Sequence, residues 1–201
     1  MKYTAPQTDM RFVLFDVLDA TSIYSQLPGG EDVTRELVEA ILEEGAKFCE
    51  QVLAPTNAIG DEEGCVFEKT SKMVTTPAAF REAYNRFVEG GWTGLCGDPA
   101  YGGQGMPESV GYVFKEMIES ANVAWGTYPL LSAGAVDAMT HHGEQWQRDV
   151  FIPRILSGEW TGTMCLTEPH CGSDLGLLRT RAEPVPGFTP NPFIFTLNTS
   201  D

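Results

Sequence analysis

The chain is short of positive charge, of histidine and of long apolar runs, and each shortage removes a class of function. Thirteen Lys and Arg stand against 28 Asp and Glu, a formal net charge of −15 at pH 7 over 201 residues. A surface of that sign repels nucleic-acid phosphates and anionic lipid headgroups, so neither is an expected partner. No stretch approaches the length of a membrane span, and the opening Met1-Lys2-Tyr3-Thr4-Ala5-Pro6 lacks the apolar run of a secretory signal. The five cysteines, Cys49, Cys65, Cys96, Cys165 and Cys171, are odd in number and contain no Cys-x-x-Cys spacing. That argues against a disulfide framework or a zinc site and leaves buried thiols in a reducing cytoplasm as the expectation. With only three histidines, His141, His142 and His170, no metal site is expected. There is no Gly-x-Ser-x-Gly elbow to anchor a hydrolase triad. The run Tyr101-Gly102-Gly103-Gln104-Gly105 has neither the preceding strand nor the Lys-Ser/Thr of a phosphate-binding loop, and reads instead as a tight turn that lets the next helix pack closely.

What is present is a globular composition, 42% hydrophobic and 20% charged, with enough length for one sizeable core or for a helical domain plus a fragment. The first half is written in helical period. Over residues 34–53, Leu37, Val38, Ile41, Leu42, Phe48, Val52 and Leu53 form an apolar stripe, with Asp32 or Thr34 as the cap and Pro55 as the stop. A shorter helix is expected over 9–18, followed by a loop over 25–30. Residues 57–76 read as a loop with a short extended piece at Cys65-Val66-Phe67, and further helices are expected over 77–89, 107–122, 129–142 and 145–156. At Ser157-Gly158 the helical period gives way to alternation, so residues 1–158 are expected to form a helical domain and 159–201 to begin a β-domain. The sheet would be left with open edges, and low solubility is expected unless another copy pairs with it.

The candidate site lies at that transition. Trp160-Thr161-Gly162-Thr163-Met164-Cys165-Leu166 reads as a strand that stops at Pro169, because proline removes a ladder donor and restrains its predecessor to extended geometry. The Thr167 hydroxyl can then donate and accept at the strand end. At Gly172 the missing Cβ lets backbone come close to a ligand, and the Gly172 and Ser173 amides with the Ser173 hydroxyl can donate to phosphate or carbonyl oxygen. Asp174 can cap a following turn. Glu168, beside the proline, is expected to orient backbone rather than to act as a base.

These residues, with Asp98-Pro99-Ala100-Tyr101-Gly102-Gly103-Gln104-Gly105, Lys115-Glu116, His142-Gly143, Gln147-Arg148, Pro153 and Ser157-Gly158-Glu159 in order before them, resemble the acyl-CoA dehydrogenase family. The wording from Gly158 to Thr180, and the opening Tyr3-Thr4-Ala5-Pro6 and Asp9-Met10-Arg11-Phe12, resemble most the 3-methylmercaptopropionyl-CoA dehydrogenase-like branch. The resemblance implies a mainly α fold: the family's N-terminal helical domain followed by the first strands of an incomplete β-domain. It runs to about Glu183. From about Pro184 the tail diverges, and Pro184, Pro186, Pro190 and Pro192 argue against a paired central strand there.

The implied reaction is oxidation of an acyl-CoA thioester to the 2,3-enoyl-CoA, with α-proton abstraction by a glutamate and β-hydride transfer to FAD. By motif, Met164, Leu166 and Thr167 would meet the flavin ring, Gly172 and Ser173 its ribityl-pyrophosphate side, and Ser173 also the pantetheine arm. Phe114, Met117 and Ile118 would line the acyl chain or pack in the core. The family's glutamate base is expected in a C-terminal bundle beyond this sequence, so no catalytic residue is assigned and a truncated, inactive chain is expected. The resemblance also implies an electron-transfer acceptor and a homo-oligomer. The acidic balance sits poorly with CoA phosphates, although local sign counts for more than the sum. The alternative is a non-catalytic helical module that keeps only packing or subunit contacts.

Overall fold

In the computed structural model, which describes residues 2–184 and 195–198, the chain divides into two units, Met1–Thr163 and Met164–Asp201. The first is helical: α1 (Gln7–Arg11), α2 (Ala20–Tyr24), α3 (Arg35–Phe48), α4 (Ala54–Glu63), α5 (Ala78–Glu89), α6 (Glu108–His142) and α7 (Gln145–Leu156). A small antiparallel hairpin, β1 (Val66–Glu68) and β2 (Met73–Thr75), sits between α4 and α5 in register Phe67↔Val74. The extended piece expected at Cys65-Val66-Phe67 is the first strand of that hairpin. The second unit carries the other strand pair, β3 (Arg181–Pro184) with β4 (Phe195–Asn198). Pro184 stands opposite Phe195 in a two-stranded ribbon, where both strands are edges and a missing amide is tolerated. Pro186, Pro190 and Pro192 lie outside the described residues.

Helix α3 buries the stripe read from the sequence: Val38, Leu42, Ala46 and Phe48 are inside, and the Thr34 hydroxyl accepts from the Leu37 amide at 3.2 Å as the cap. Pro55 does not stop it. The turn Cys49–Leu53 widens to π-helical spacing, and the Ala54 amide donates to the Cys49 carbonyl five residues back. That widening makes room for a ring that would collide with a carbonyl at α-spacing, and the helix runs on as α4 through residues 57–63, which the sequence had suggested as loop.

The two helices expected over 107–122 and 129–142 lie in α6, which is broken at Asn122 (φ −161°, ψ 94°), where the first was expected to end; the second begins earlier than expected and takes in Pro129. The bend is held by buried polar contacts. Asn122 donates to the Thr56 hydroxyl at 2.9 Å, and the Asn122 side-chain oxygen accepts from the Trp125 amide at 3.1 Å, an amide freed by the break in the helix. Trp125, fully buried, donates its indole N–H to the Phe80 carbonyl at 3.1 Å and meets Phe48, Phe87 and Tyr84. Full burial of each such side chain contributes roughly 1.5–3 kcal/mol. This aromatic cluster, with Phe114 stacked on Phe87, locks α3, α5 and α6 together.

The glycine-rich turn before α6 is structural, as its sequence suggested. Gln104, Gly105 and Met106 donate their amides to the carbonyls of Gly94, Gly97 and Leu95 at 2.8, 2.9 and 3.0 Å. A Cβ on Gly103 would collide with the Gly97 carbonyl, so only glycine permits this close approach. With those amides committed internally, the turn has none to offer a phosphate.

Candidate functional site

After α7 the chain passes through Ser157 and Gly158 (φ +76°) into residues 160–167, and here the expected strand does not form. Among the described residues this segment has no ladder partner, and without one an alternating sequence has no means to become a strand. Met164 is 65% and Leu166 40% exposed, with Thr167 exposed beside them.

At Glu168 the backbone reverses. The Glu168 amide donates to the Cys171 carbonyl at 2.9 Å and the Cys171 amide returns a bond to Glu168 at 3.1 Å, closing a turn whose tip is Pro169-His170. The reversal folds Thr167 against Gly172: a Cβ placed on Gly172 would stand 3.6 Å from Thr167 Cγ2 and 4.0 Å from its Oγ1. These are the two residues that the family resemblance assigned to the ring side and the phosphate side of one ligand, and they are neighbours across the turn. Among the described residues, the Gly172 and Ser173 amides and the Thr167 and Ser173 hydroxyls donate to no protein acceptor. Asp174 caps as expected, accepting from the Gly176 amide at 3.2 Å to start the turn Leu175–Leu177.

Glu168 and Cys171 are the buried residues of this otherwise exposed loop. Glu168 Oε1 accepts from the Arg179 amide (3.1 Å), the Thr180 amide (2.8 Å) and the Thr180 hydroxyl (2.6 Å), and its Oε2 from the Arg179 amide (3.0 Å). The expectation that Glu168 orients backbone holds in this geometry. The reach to Arg179 and Thr180 was not foreseeable, because nothing in the local sequence marks which later amides a carboxylate will gather. His170 Nε2 lies 3.5 Å from Glu168 Oε2 and 3.0 Å from the Leu177 carbonyl. Ligand atoms of Glu168, His170 and Cys171 come within 4.8 Å of one another, a grouping the sequence reading missed because it did not weigh Cys171 with the histidines. The carboxylate is committed to four hydrogen bonds, and a cation here would have to displace them.

The residues suggested for the acyl chain belong to the helical unit. Phe114, Met117 and Ile118 are buried in its core, Phe114 lying 4.5 Å from the Trp92 ring by centroid. A groove of about 500 Å³ in the same unit is lined instead by Arg81, Tyr84, Thr127, Leu131, Thr161 and Thr163 among others. The sequence did not point to it because its walls come from three distant segments. Burial, reinforced by the Glu50 charge, pushes the Cys49 thiol up to about 12, and burial with the Glu108 charge does the same to Cys96. Neither is a nucleophile near neutral pH.

The loop fits FAD in the character of its donors. It offers amides and hydroxyls with no protein acceptor among the described residues, an exposed apolar pair in Met164 and Leu166, and a glycine open to close approach. Among the described residues, no helix is long and apolar enough to cross a membrane.

Comparison with known proteins places this architecture. The chain is 35% identical over 189 residues to 3-methylmercaptopropionyl-CoA dehydrogenase of Ruegeria pomeroyi, covering 92% of this chain and 31% of that protein's length. Butyryl-CoA dehydrogenase of Megasphaera elsdenii superposes with a TM-score of 0.64 at 21% identity, covering 82% of this chain and 39% of the other. A chain from a structure of the electron transferring flavoprotein of Acidaminococcus fermentans superposes at 0.63 with 23% identity, covering 82% of this chain and 38% of the other. These two likenesses speak for the fold. Residues 35–159 match the acyl-CoA dehydrogenase N-terminal domain. The chain therefore belongs to the acyl-CoA dehydrogenase family, of which it carries the N-terminal domain.

Proposed function

We propose that this chain supplies the flavin-edge half of an acyl-CoA dehydrogenase site, serving the oxidation of an acyl-CoA thioester to its 2,3-enoyl form. The observation that carries this is the fold-back at Glu168–Cys171, which sets the Thr167 side chain beside Gly172 with unpaired donors around them. In this reading Met164 and Leu166 lie against the ring, Thr167 donates to its polar edge, and Gly172 and Ser173 receive the ribityl-pyrophosphate side. Ser173 also meets the pantetheine arm. Bound here, FAD would supply a two-electron hydride acceptor. The contribution of this chain is positional. Fixed amide and hydroxyl donors stabilise negative charge arriving on the ring without reorganising. Thr167 anchors one edge while Gly172 keeps the approach free of a side chain.

No catalytic base is assigned to this chain. Phe114, Met117 and Ile118 are the residues of the helical unit proposed for the acyl chain by family resemblance, with packing in that unit's core as the alternative. The electron-accepting partner and a homo-oligomeric state belong to the proposal through family membership. A cytoplasmic location accords with five free cysteines.

The test is whether the purified 201-residue chain keeps flavin absorbance through gel filtration after incubation with FAD. Retained colour that falls in T167V and S173A supports the reading. Colourless protein of native far-UV circular dichroism would overturn it in favour of a non-catalytic helical module.

A further inference from the structure

We infer that Glu168 is the positioning residue of this loop, a latch whose carboxylate sets the spacing of Thr167 and Gly172 by gathering the backbone at Arg179 and Thr180. The inference rests on the FAD reading for its purpose but not for its geometry. Glu168 joins three pieces of chain. Its backbone pairs with Cys171 across the turn, while its carboxylate takes both the Arg179 and Thr180 amides and the Thr180 hydroxyl at 2.6–3.1 Å.

The segment on either side of the turn is exposed, so little apolar burial can hold its shape. A charge-assisted cluster of this kind is then the strongest local restraint available. The same commitment argues against proton transfer by Glu168. A general base needs an oxygen within hydrogen-bond reach of substrate, and this buried carboxylate has both oxygens turned onto the protein's own amides. Glutamine is a poor replacement. Its amide nitrogen would face the Arg179 N–H at one of the two oxygen positions, donor against donor. Aspartate is one methylene too short to span the same gap.

The experiment follows amide hydrogen exchange of Arg179 and Thr180 by NMR in the 201-residue chain, alongside FAD affinity by fluorescence titration. The variants are E168A, E168Q, T180V and T180S. Expected are slowed Arg179 and Thr180 amides in the wild type, fast exchange in E168A and E168Q, and FAD binding weakened about 10- to 100-fold by misplacement of the contact loop. T180S, which keeps the hydroxyl, should behave as wild type, whereas T180V should lose part of both effects. Unchanged exchange in E168A, or wild-type FAD affinity in that variant, would overturn the latch. Protection that depends on Glu168 in a wild-type chain that takes up no FAD would support the latch and sink the flavin reading.

Discussion

Replacing Gly172 with alanine separates what the protein needs from what a ligand needs. In the folded chain the added methyl would sit 3.6 Å from Thr167 Cγ2, an ordinary van der Waals contact, and Gly172 is not among the glycines with positive φ. Alanine is therefore free to occupy the site in the ligand-free protein. By narrowing the unfolded ensemble it should leave stability unchanged or raise it by about 0.4–1 kcal/mol. For a chain of this size that is a rise of up to roughly 2–4 °C in Tm. If a cofactor's phosphate edge closes onto the Gly172 backbone, the same methyl stands where ligand atoms must go. Overpacking of that kind costs about 1–3 kcal/mol, or about 5- to 150-fold in FAD affinity. Thermal unfolding and fluorescence titration with FAD, run on wild type and G172A, read the two effects independently. A G172A protein that binds FAD as tightly as wild type would refute the close-approach argument. A Tm lowered by several degrees would refute the claim that the space at Gly172 is open.

Further expectations concern Asn122 and the cysteines. N122A removes the acceptor of the buried Trp125 amide and the partner of Thr56, so urea unfolding should show a loss of about 2–4 kcal/mol; a loss under half a kcal/mol would mean the bend in α6 does not depend on Asn122. Exposed Cys65 and Cys165 should react rapidly with a disulfide reagent in the native chain, while buried Cys49 should react only on unfolding. Cys49 and Cys96 have folded pKa values near 12 against an ordinary 9.0. Above pH 9 the unfolded chain gives up these protons first, so their contribution is intact below pH 9 and is lost as pH rises toward 12. A C49A/C96A double variant should show a shallower fall of Tm over that window.

Much of the fold was legible because its causes are local. The apolar stripe of α3, the Thr34 cap, the glycine turn after Asp98 and the stop at His142-Gly143 depend on neighbours a few residues away, and each stands where the sequence suggested. The candidate site residues between Met164 and Ser173 came from the family resemblance that this one short segment carries; of the local physics there, proline restricts the backbone and glycine leaves it open. Other features depended on distant partners. The helix passes Pro55 because the preceding turn could widen among packed neighbours. The break expected after residue 122 is confined to Asn122, where Thr56, far off in sequence, supplies a partner for the side-chain amide. Residues 160–167 carry a strand pattern but lack a ladder partner among the described residues, and strand formation is a property of pairs. Glu168 was visible as a backbone-orienting carboxylate, whereas its hold on Arg179 and Thr180 came only with the fold: a sequence fixes which groups can bond, and tertiary structure fixes which of them meet.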